Sequence, residues 1–285
     1  MRLVSFAQPE KITQNSILLL DLNGVIFDSK AFLKKLKKYR EDDLVKAVVV
    51  RINSPGGVVG PSQEIYEELK RTKEEFGKPV VAYAESLAAS GAYYAALGCD
   101  HIVAQQGALL GSIGVIMEFV NLEDLYKWAK VERFSIKTGV YKDIGAEYRK
   151  MTQPEKAYLQ DLLQEVLTQF KTAIVERRKM SIEQVDEVAD GRIFTGTGAQ
   201  KLKLVDSNGS LEDAIKVAAK LANITDKPNV FEAPKEKPML LDYLSGMSEE
   251  EGHSKIIDQL SSHLGLNLSG QLLYLYPAGL GTTFR

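Results

Sequence analysis

Short aliphatic runs alternate with amphipathic stretches along the first half of the chain. Ser16–Leu22 reads as a strand, and Val45–Ile52 (Val-Lys-Ala-Val-Val-Val-Arg-Ile), with five β-branched residues in eight, as a buried one. Ser29–Tyr39 carries apolar residues at helical spacing. Gly56-Gly57 then breaks the chain, and Pro61–Phe76 is helical again. Pro79–Ala84 predicts a strand, Ser90–Leu97 a short helix and His101–Val103 a strand. The glycine-punctuated Gly111-Ser112-Ile113-Gly114-Val115 follows, then a helix over Leu122–Ala129 and a strand over Glu132–Ile136. This β-α-β-α rhythm predicts an α/β fold with a mostly parallel sheet.

The longest helix has the clearest start. Thr152-Gln153-Pro154-Glu155 is a capping box with proline in the first turn. Leu159, Leu162, Leu163, Val166, Phe170, Ala173 and Ile174 follow on one stripe, which is core or, in an oligomer, a contact with a neighbour. Further helices are expected over Ile182–Val188 and Leu211–Ala222. The composition then changes: Thr225–Pro238 holds three prolines and many charges and reads as a linker. The expected division is therefore a folded domain over 1–224, a linker over 225–238 and a C-terminal tail over 239–285. The tail has a helical stretch near Ser254–Leu264 and an apolar, strand-like end, Leu272-Leu273-Tyr274-Leu275-Tyr276.

Composition narrows the function classes. Lys and Arg number 36 against 38 Asp and Glu, a net charge of −2, which gives no electrostatic reason to expect nucleic-acid binding. The single cysteine, Cys99, forms neither an intrachain disulfide nor a Cys-rich metal site. No histidine–carboxylate cluster has metal-ligand spacing, and the Gly-rich loop lacks the Gly-Lys-Ser/Thr ending of a phosphate loop, so neither metal nor cofactor is expected. No run of about 18 apolar residues is present, and residues 1–15 are polar rather than a signal peptide. The expectation is a soluble protein or a chain lacking an N-terminal anchor.

The candidate chemistry centres on Ser90, in Leu87-Ala88-Ala89-Ser90-Gly91-Ala92-Tyr93-Tyr94. Small neighbours at a strand-to-helix turn admit a substrate backbone, and the first amides of the helix can hold an oxyanion. The alternative is a helix N-cap serine. A serine hydroxyl needs a base, and histidine is scarce: the chain has three. His101 starts a strand and reads as structural more readily than as part of a Ser-His-Asp triad; His253 and His263 fall in the polar tail. Lys142 and Lys137, in Lys137-Thr138-Gly139-Val140-Tyr141-Lys142-Asp143, are both candidates. A free lysine has a pKa of about 10.4, so a lysine base must be desolvated. Asn53-Ser54-Pro55-Gly56-Gly57 follows a strand, and its amides suit an oxyanion or an extended peptide, unless it is an ordinary turn. Ser112 is either a turn serine or a hydroxyl that orients the lysine amine.

Taken together and in this order, five blocks resemble the signal peptide peptidase A family: 48–57, 88–94, 111–117, 137–143 and 190–196, the last being Asp-Gly-Arg-Ile-Phe-Thr-Gly. The resemblance covers about residues 16–222. It implies a Clp-protease/crotonase-like fold of repeated ββα units and a Ser/Lys serine peptidase. Ser90 matches the nucleophile, Lys142 the general base and Ser112 the serine that holds the lysine. The amides of Gly57 and Gly91 match the oxyanion hole, with Gly56 shaping the substrate groove. The resemblance also implies a ring-like homo-oligomer in which the serine of one protomer meets the lysine of its neighbour. Expected substrates are hydrophobic, unfolded peptides such as cleaved signal peptides, and the expected location is the bacterial membrane or the extracytoplasmic space. The chain departs from the pattern in having no N-terminal anchor and in carrying Gly91-Ala92 where Gly-Gly is usual.

Two rival classes share the fold: a crotonase-type acyl-CoA enzyme, which needs paired carboxylates or an acyl-CoA pocket, and a non-catalytic scaffold for membrane proteins. The apolar end of the tail adds a further expectation. It is itself substrate-like and suits a strand added to a neighbour's active-site groove, with packing or assembly as the alternative.

Overall fold

Aliphatic runs buried on both faces need covering layers, and the computed structural model supplies them around one sheet; it describes residues 12–233 and 272–275. The elements in order are β1 (Ser16–Asn23), α1 (Lys30–Arg40), β2 (Val45–Ser54), β3 (Gly56–Val58), α2 (Val59–Glu74), β4 (Val80–Ala89), α3 (Gly91–Ala96), β5 (His101–Ala104), β6 (Leu109–Gly111), α4 (Glu123–Trp128), α5 (Gln153–Arg178), α6 (Ile182–Asp186), β7 (Ile193–Thr195), α7 (Gly196–Lys201), β8 (Ser207–Asn208), α8 (Leu211–Leu221), β9 (Asn229–Glu232) and β10 (Leu273–Leu275). The main sheet runs β7-β6-β4-β2-β1-β9, with β5 also on β4 and β8 on β5. Every pairing in it is parallel except β6 with β7. The mostly parallel α/β architecture is the one the sequence predicts.

Val48, Val49, Val50, Val80, Val81 and Ala82 are fully buried, which is why Ala47–Val50 and Val80–Ala84 read as unbroken apolar runs. α8 covers one face: Ala214 and Ala218 pack on Val49, Val81 and Tyr83. Its start is a capping box between Ser210 and Asp213.

Among the described residues the chain forms two compact units, one from 12–114, 167–233 and 274–275, the other from 115–166 and 272–273. The sheet belongs to the first. The second holds α4, the segment after it and the beginning of α5. The Thr152–Glu155 capping box forms there: Thr152 N–H donates to Glu155 Oε2 at 2.8 Å, and Glu155 N–H donates to Thr152 Oγ1 at 3.4 Å.

Two expectations change. Glu132–Ile136 is not a strand; its alternation of apolar and polar residues finds no partner strand among the described residues, and Phe134 and Ile136 stand exposed, the latter by 96%. Within the stretch read as a linker, Asn229–Glu232 forms β9 on the edge of the sheet, because Phe231 buries itself against Tyr39 with ring centroids 5.1 Å apart. The helix expected near Ser254–Leu264 lies outside the described residues. The tail's apolar end is strand β10, paired with β3 of the same chain.

Candidate active site

Ser90 stands where β4 turns into α3. Its backbone has φ 52° and ψ −117°, a conformation that an L-residue adopts at a cost of about 1–3 kcal/mol. Its surroundings hold it there. Ser90 N–H donates to the Gly111 carbonyl at 2.7 Å, and Tyr94 N–H donates to the Ser90 carbonyl at 2.8 Å. α3 is buried along its whole length. Tyr93 O–H donates to Leu204 O at 2.8 Å, and Tyr94 meets Phe170 edge-on at 5.0 Å and Tyr66 at 5.2 Å. Arg177 of α5 donates to the Leu97 and Cys99 carbonyls just beyond the helix.

The hydroxyl is unusual in the same way. Ser90 is 1% exposed, and its Oγ has no hydrogen-bond partner among the described residues. It occupies the N-cap position of α3 without capping it. An unpaired buried hydroxyl costs about 1–3 kcal/mol, so this serine carries both backbone strain and an orphan donor that a structural N-cap would have avoided.

The glycines of the upstream loop come to the same region. Ser54 pairs with Ala88, and α3 packs against β3. Gly56 has φ 94°, a left-handed conformation that favours glycine, and its N–H donates to Ser54 Oγ at 3.1 Å. Ile26 N–H donates to Gly56 O at 2.9 Å, and Val58 N–H donates to Ile26 O at 2.8 Å. Successive residues of a strand point their polar groups to opposite sides, so the N–H and C=O of Gly57 face away from Ile26, toward the edge that β10 pairs with. A Cβ on Gly57 would collide with the Ile26 backbone, so only glycine fits. At the first position of α3, the Gly91 amide has no acceptor among the described residues.

Ser112 sits beside Ser90 because Ala89 and Gly111 are register partners on β4 and β6. It too is left-handed, with φ 50°, is 7% exposed, and donates its N–H to the Arg192 carbonyl at 2.8 Å. The Asp190–Thr195 segment that receives it was visible in the sequence as a motif, but nothing there marked its role as a frame.

Lys142 belongs to the second unit. It is exposed, and its ammonium has no hydrogen-bond or ion-pair partner among the described residues. Lys137, its rival, is committed to an ion pair with Asp143. Arg149 joins Asp143 Oδ1 at 2.6 Å to Glu155 Oε1 at 2.5 Å. Arg149, and after it Lys137, holds the Asp143 carboxyl far below its usual range, while Arg149 and the Thr152 N–H bring Glu155 down to about 2. Thus Ser90, Gly91, Gly56, Gly57 and Ser112 gather in one unit, and Lys142 is carried by the other.

The remaining candidates have other roles. His101 Nε2 lies 3.0 Å from Ser207 Oγ, on the β5–β8 edge, and burial lowers its proton affinity. Burial pushes the Cys99 thiol up, away from a reactive thiolate.

The geometry has counterparts in known proteins. The sequence model of Peptidase family S49 matches residues 72–225. A candidate protease of Synechocystis sp. is 39% identical over 271 residues, 93% of this chain and 97% of that protein. The chloroplastic serine protease SPPA of Arabidopsis thaliana is 33% identical over 231 residues, 80% of this chain and 34% of that protein. Among solved structures, a mutant of the 1510-N membrane-bound stomatin-specific protease superposes with a TM-score of 0.50 over 78% of this chain and 100% of its own; at 15% identity the likeness speaks to the fold, which is Clp-protease/crotonase-like. By sequence, the chain belongs to peptidase family S49, the signal peptide peptidase A family of serine peptidases.

Proposed function

We propose that the chain is an endopeptidase with Ser90 as nucleophile and Lys142 as general base. The observation that carries the reading is the strained, buried Ser90 whose hydroxyl neither caps its helix nor finds a partner. Neutral Lys142 takes the Ser90 proton as Oγ attacks the scissile carbonyl. The amides of Gly57 and Gly91 hold the oxyanion. Lys142, now protonated, delivers the proton to the departing amine, and the acyl-enzyme remains. Water gives a proton to Lys142 as it attacks the acyl carbonyl; the bond from that carbonyl to Ser90 Oγ then breaks, Lys142 returns the proton to Oγ, and the acid product leaves. Ser112 orients the lysine amine.

The base comes from a neighbouring copy in a ring-like homo-oligomer. Lys142 is exposed in the second unit, and so are Trp128, Phe134, Ile136 and Val140, apolar side chains that a second copy of the chain would cover. That contact would also supply the desolvation that a lysine base needs. The substrate lies extended on the outer edge of β3, the place where β10 already pairs as a strand. By family likeness it is a hydrophobic, unfolded peptide such as a cleaved signal peptide, cut after a small or apolar residue. Such substrates place the enzyme at the cell membrane, on its extracytoplasmic side.

The test is cleavage of an unfolded hydrophobic protein by wild type, Ser90→Ala and Lys142→Ala, with oligomeric mass checked for each. Loss of at least about 1,000-fold in both variants, with mass unchanged, is expected. Full activity in Lys142→Ala removes it as the base; full activity in Ser90→Ala removes the nucleophile.

A further inference from the structure

We propose that Phe194 is a positioning residue for the reaction, setting the Ser90 hydroxyl through Gly111; the inference rests on Ser90 being the nucleophile. Ser90 keeps its left-handed backbone because its N–H is held by the Gly111 carbonyl at 2.7 Å. The direction of that carbonyl depends on Gly111 itself, at φ 92°, and on Ser112 after it, at φ 50°. Two consecutive left-handed residues are not stable by themselves, and the second is not a glycine. Something must hold the turn closed.

The Phe194 ring does so. It fills the space where a side chain on Gly111 would begin: a Cβ there would stand 2.7 Å from Phe194 Cδ2 and 3.2 Å from Cε2. Phe194 is the register partner of Leu110 on the antiparallel β6–β7 pair, one position from Gly111, and at the positive φ of Gly111 a Cβ there would point at the ring rather than follow the regular alternation of the strand. The hydrogen bonds on either side complete the clamp. Ser112 N–H donates to Arg192 O at 2.8 Å, and Gly191 N–H donates to Ile113 O at 3.1 Å.

The ring is not what holds β7 in place. Thr195 Oγ1 accepts from Gly198 N–H at 3.1 Å and caps α7, and Gly196 lies against the Gln105 carbonyl. Phe194 itself is only half-buried. Removing the ring therefore loosens the Gly111–Ser112 turn and leaves the strand anchored. Displacing a reacting atom by about 1 Å lowers turnover by about 100-fold without touching the binding edge.

The experiment compares Phe194→Ala and Phe194→Tyr with wild type, reading kcat, KM, melting temperature and the rate at which a fluorophosphonate labels the serine. Phe194→Ala should lower kcat and the labelling rate by about 10- to 100-fold, with KM within about twofold and the oligomer intact. Phe194→Tyr, which keeps the ring, should retain both rates. Wild-type kcat and labelling in folded Phe194→Ala overturns the proposal, as does a Tyr variant that fails as badly as Ala. A fall in kcat that tracks a lowered melting temperature also overturns it, since that marks a structural role. If the Ala variant does not fold, Phe194→Leu is judged by the same criteria. Labelling of Ser90→Ala at the wild-type rate would instead refute the nucleophile, a result independent of the Phe194 variants.

Discussion

Ser90 concentrates strain and an unpaired hydroxyl in one residue, and its neighbours bear what that requires. Gly57 is the sharpest case. A methyl group there meets the Ile26 backbone, so Gly57→Ala must move β3. The expected result is a loss of about 100-fold or more in kcat/KM, the scale of one lost oxyanion donor, measured on a peptide substrate beside the melting temperature. The two lysines of the loop should also separate. Lys142→Ala removes a side chain with no partner among the described residues, whereas Lys137→Ala removes a partner of Asp143, which keeps Arg149. Peptidase assays of the two should show near-complete loss for Lys142→Ala and a loss of less than about tenfold for Lys137→Ala. Much of this site was legible in the residues. Ser90-Gly91 and Gly56-Gly57 announce themselves as small, close-approach positions. Which of Lys137 and Lys142 has a partner was not legible, because the carboxylate that engages Lys137 lies next to Lys142 in sequence. The clamp on Gly111 was hidden too, since its ring comes from a distant segment.

β3 is three residues long and has one edge against Ile26 and the other against β10. If substrates use that second edge, β10 competes with them. Deleting residues 266–285 should raise kcat/KM for peptides in a steady-state assay; unchanged activity with intact assembly would show that the tail strand serves packing instead. The start of α5 carries a pH signature. Glu155, held down to about 2, contributes stability that is fully present above its ordinary value of 4.5 and lost as pH falls toward 2. Urea midpoints at about pH 6 and about pH 3 should fall less in Arg149→Met than in wild type, because Arg149 is the largest cause of that shift. Long, strongly patterned elements were the ones that could be read in advance: β1, β2, α5 with its cap, α8. Short strands such as β3, β6, β7 and β8 have two or three residues, too few to show a period, and exist because a neighbouring strand receives them. Glu132–Ile136 is the converse, a good alternation with no strand beside it among the described residues.

At the scale of the whole molecule, Ser90 and Lys142 lie in different units of the chain, and the proposed donation of the lysine between copies would make the reaction depend on assembly. If the lysine is donated between copies, mixing inactive Ser90→Ala and Lys142→Ala subunits should restore part of the wild-type rate, and dilution below the assembly concentration should abolish it. Two variants that stay inert when mixed, in proven hetero-oligomers, would place serine and lysine of one chain in the same site. Charge among the exposed apolar side chains of the second unit, as in Ile136→Glu, should lower both oligomeric mass and activity, seen by light scattering and peptide turnover. Those side chains include the only tryptophan, Trp128, 81% exposed. The protein thereby carries its own optical gauge of association: a water-exposed indole emits at long wavelength, and covering it would shift the emission to the blue. Following that colour against concentration would report the state of the subunits in the same cuvette as the cleavage reaction, without a label.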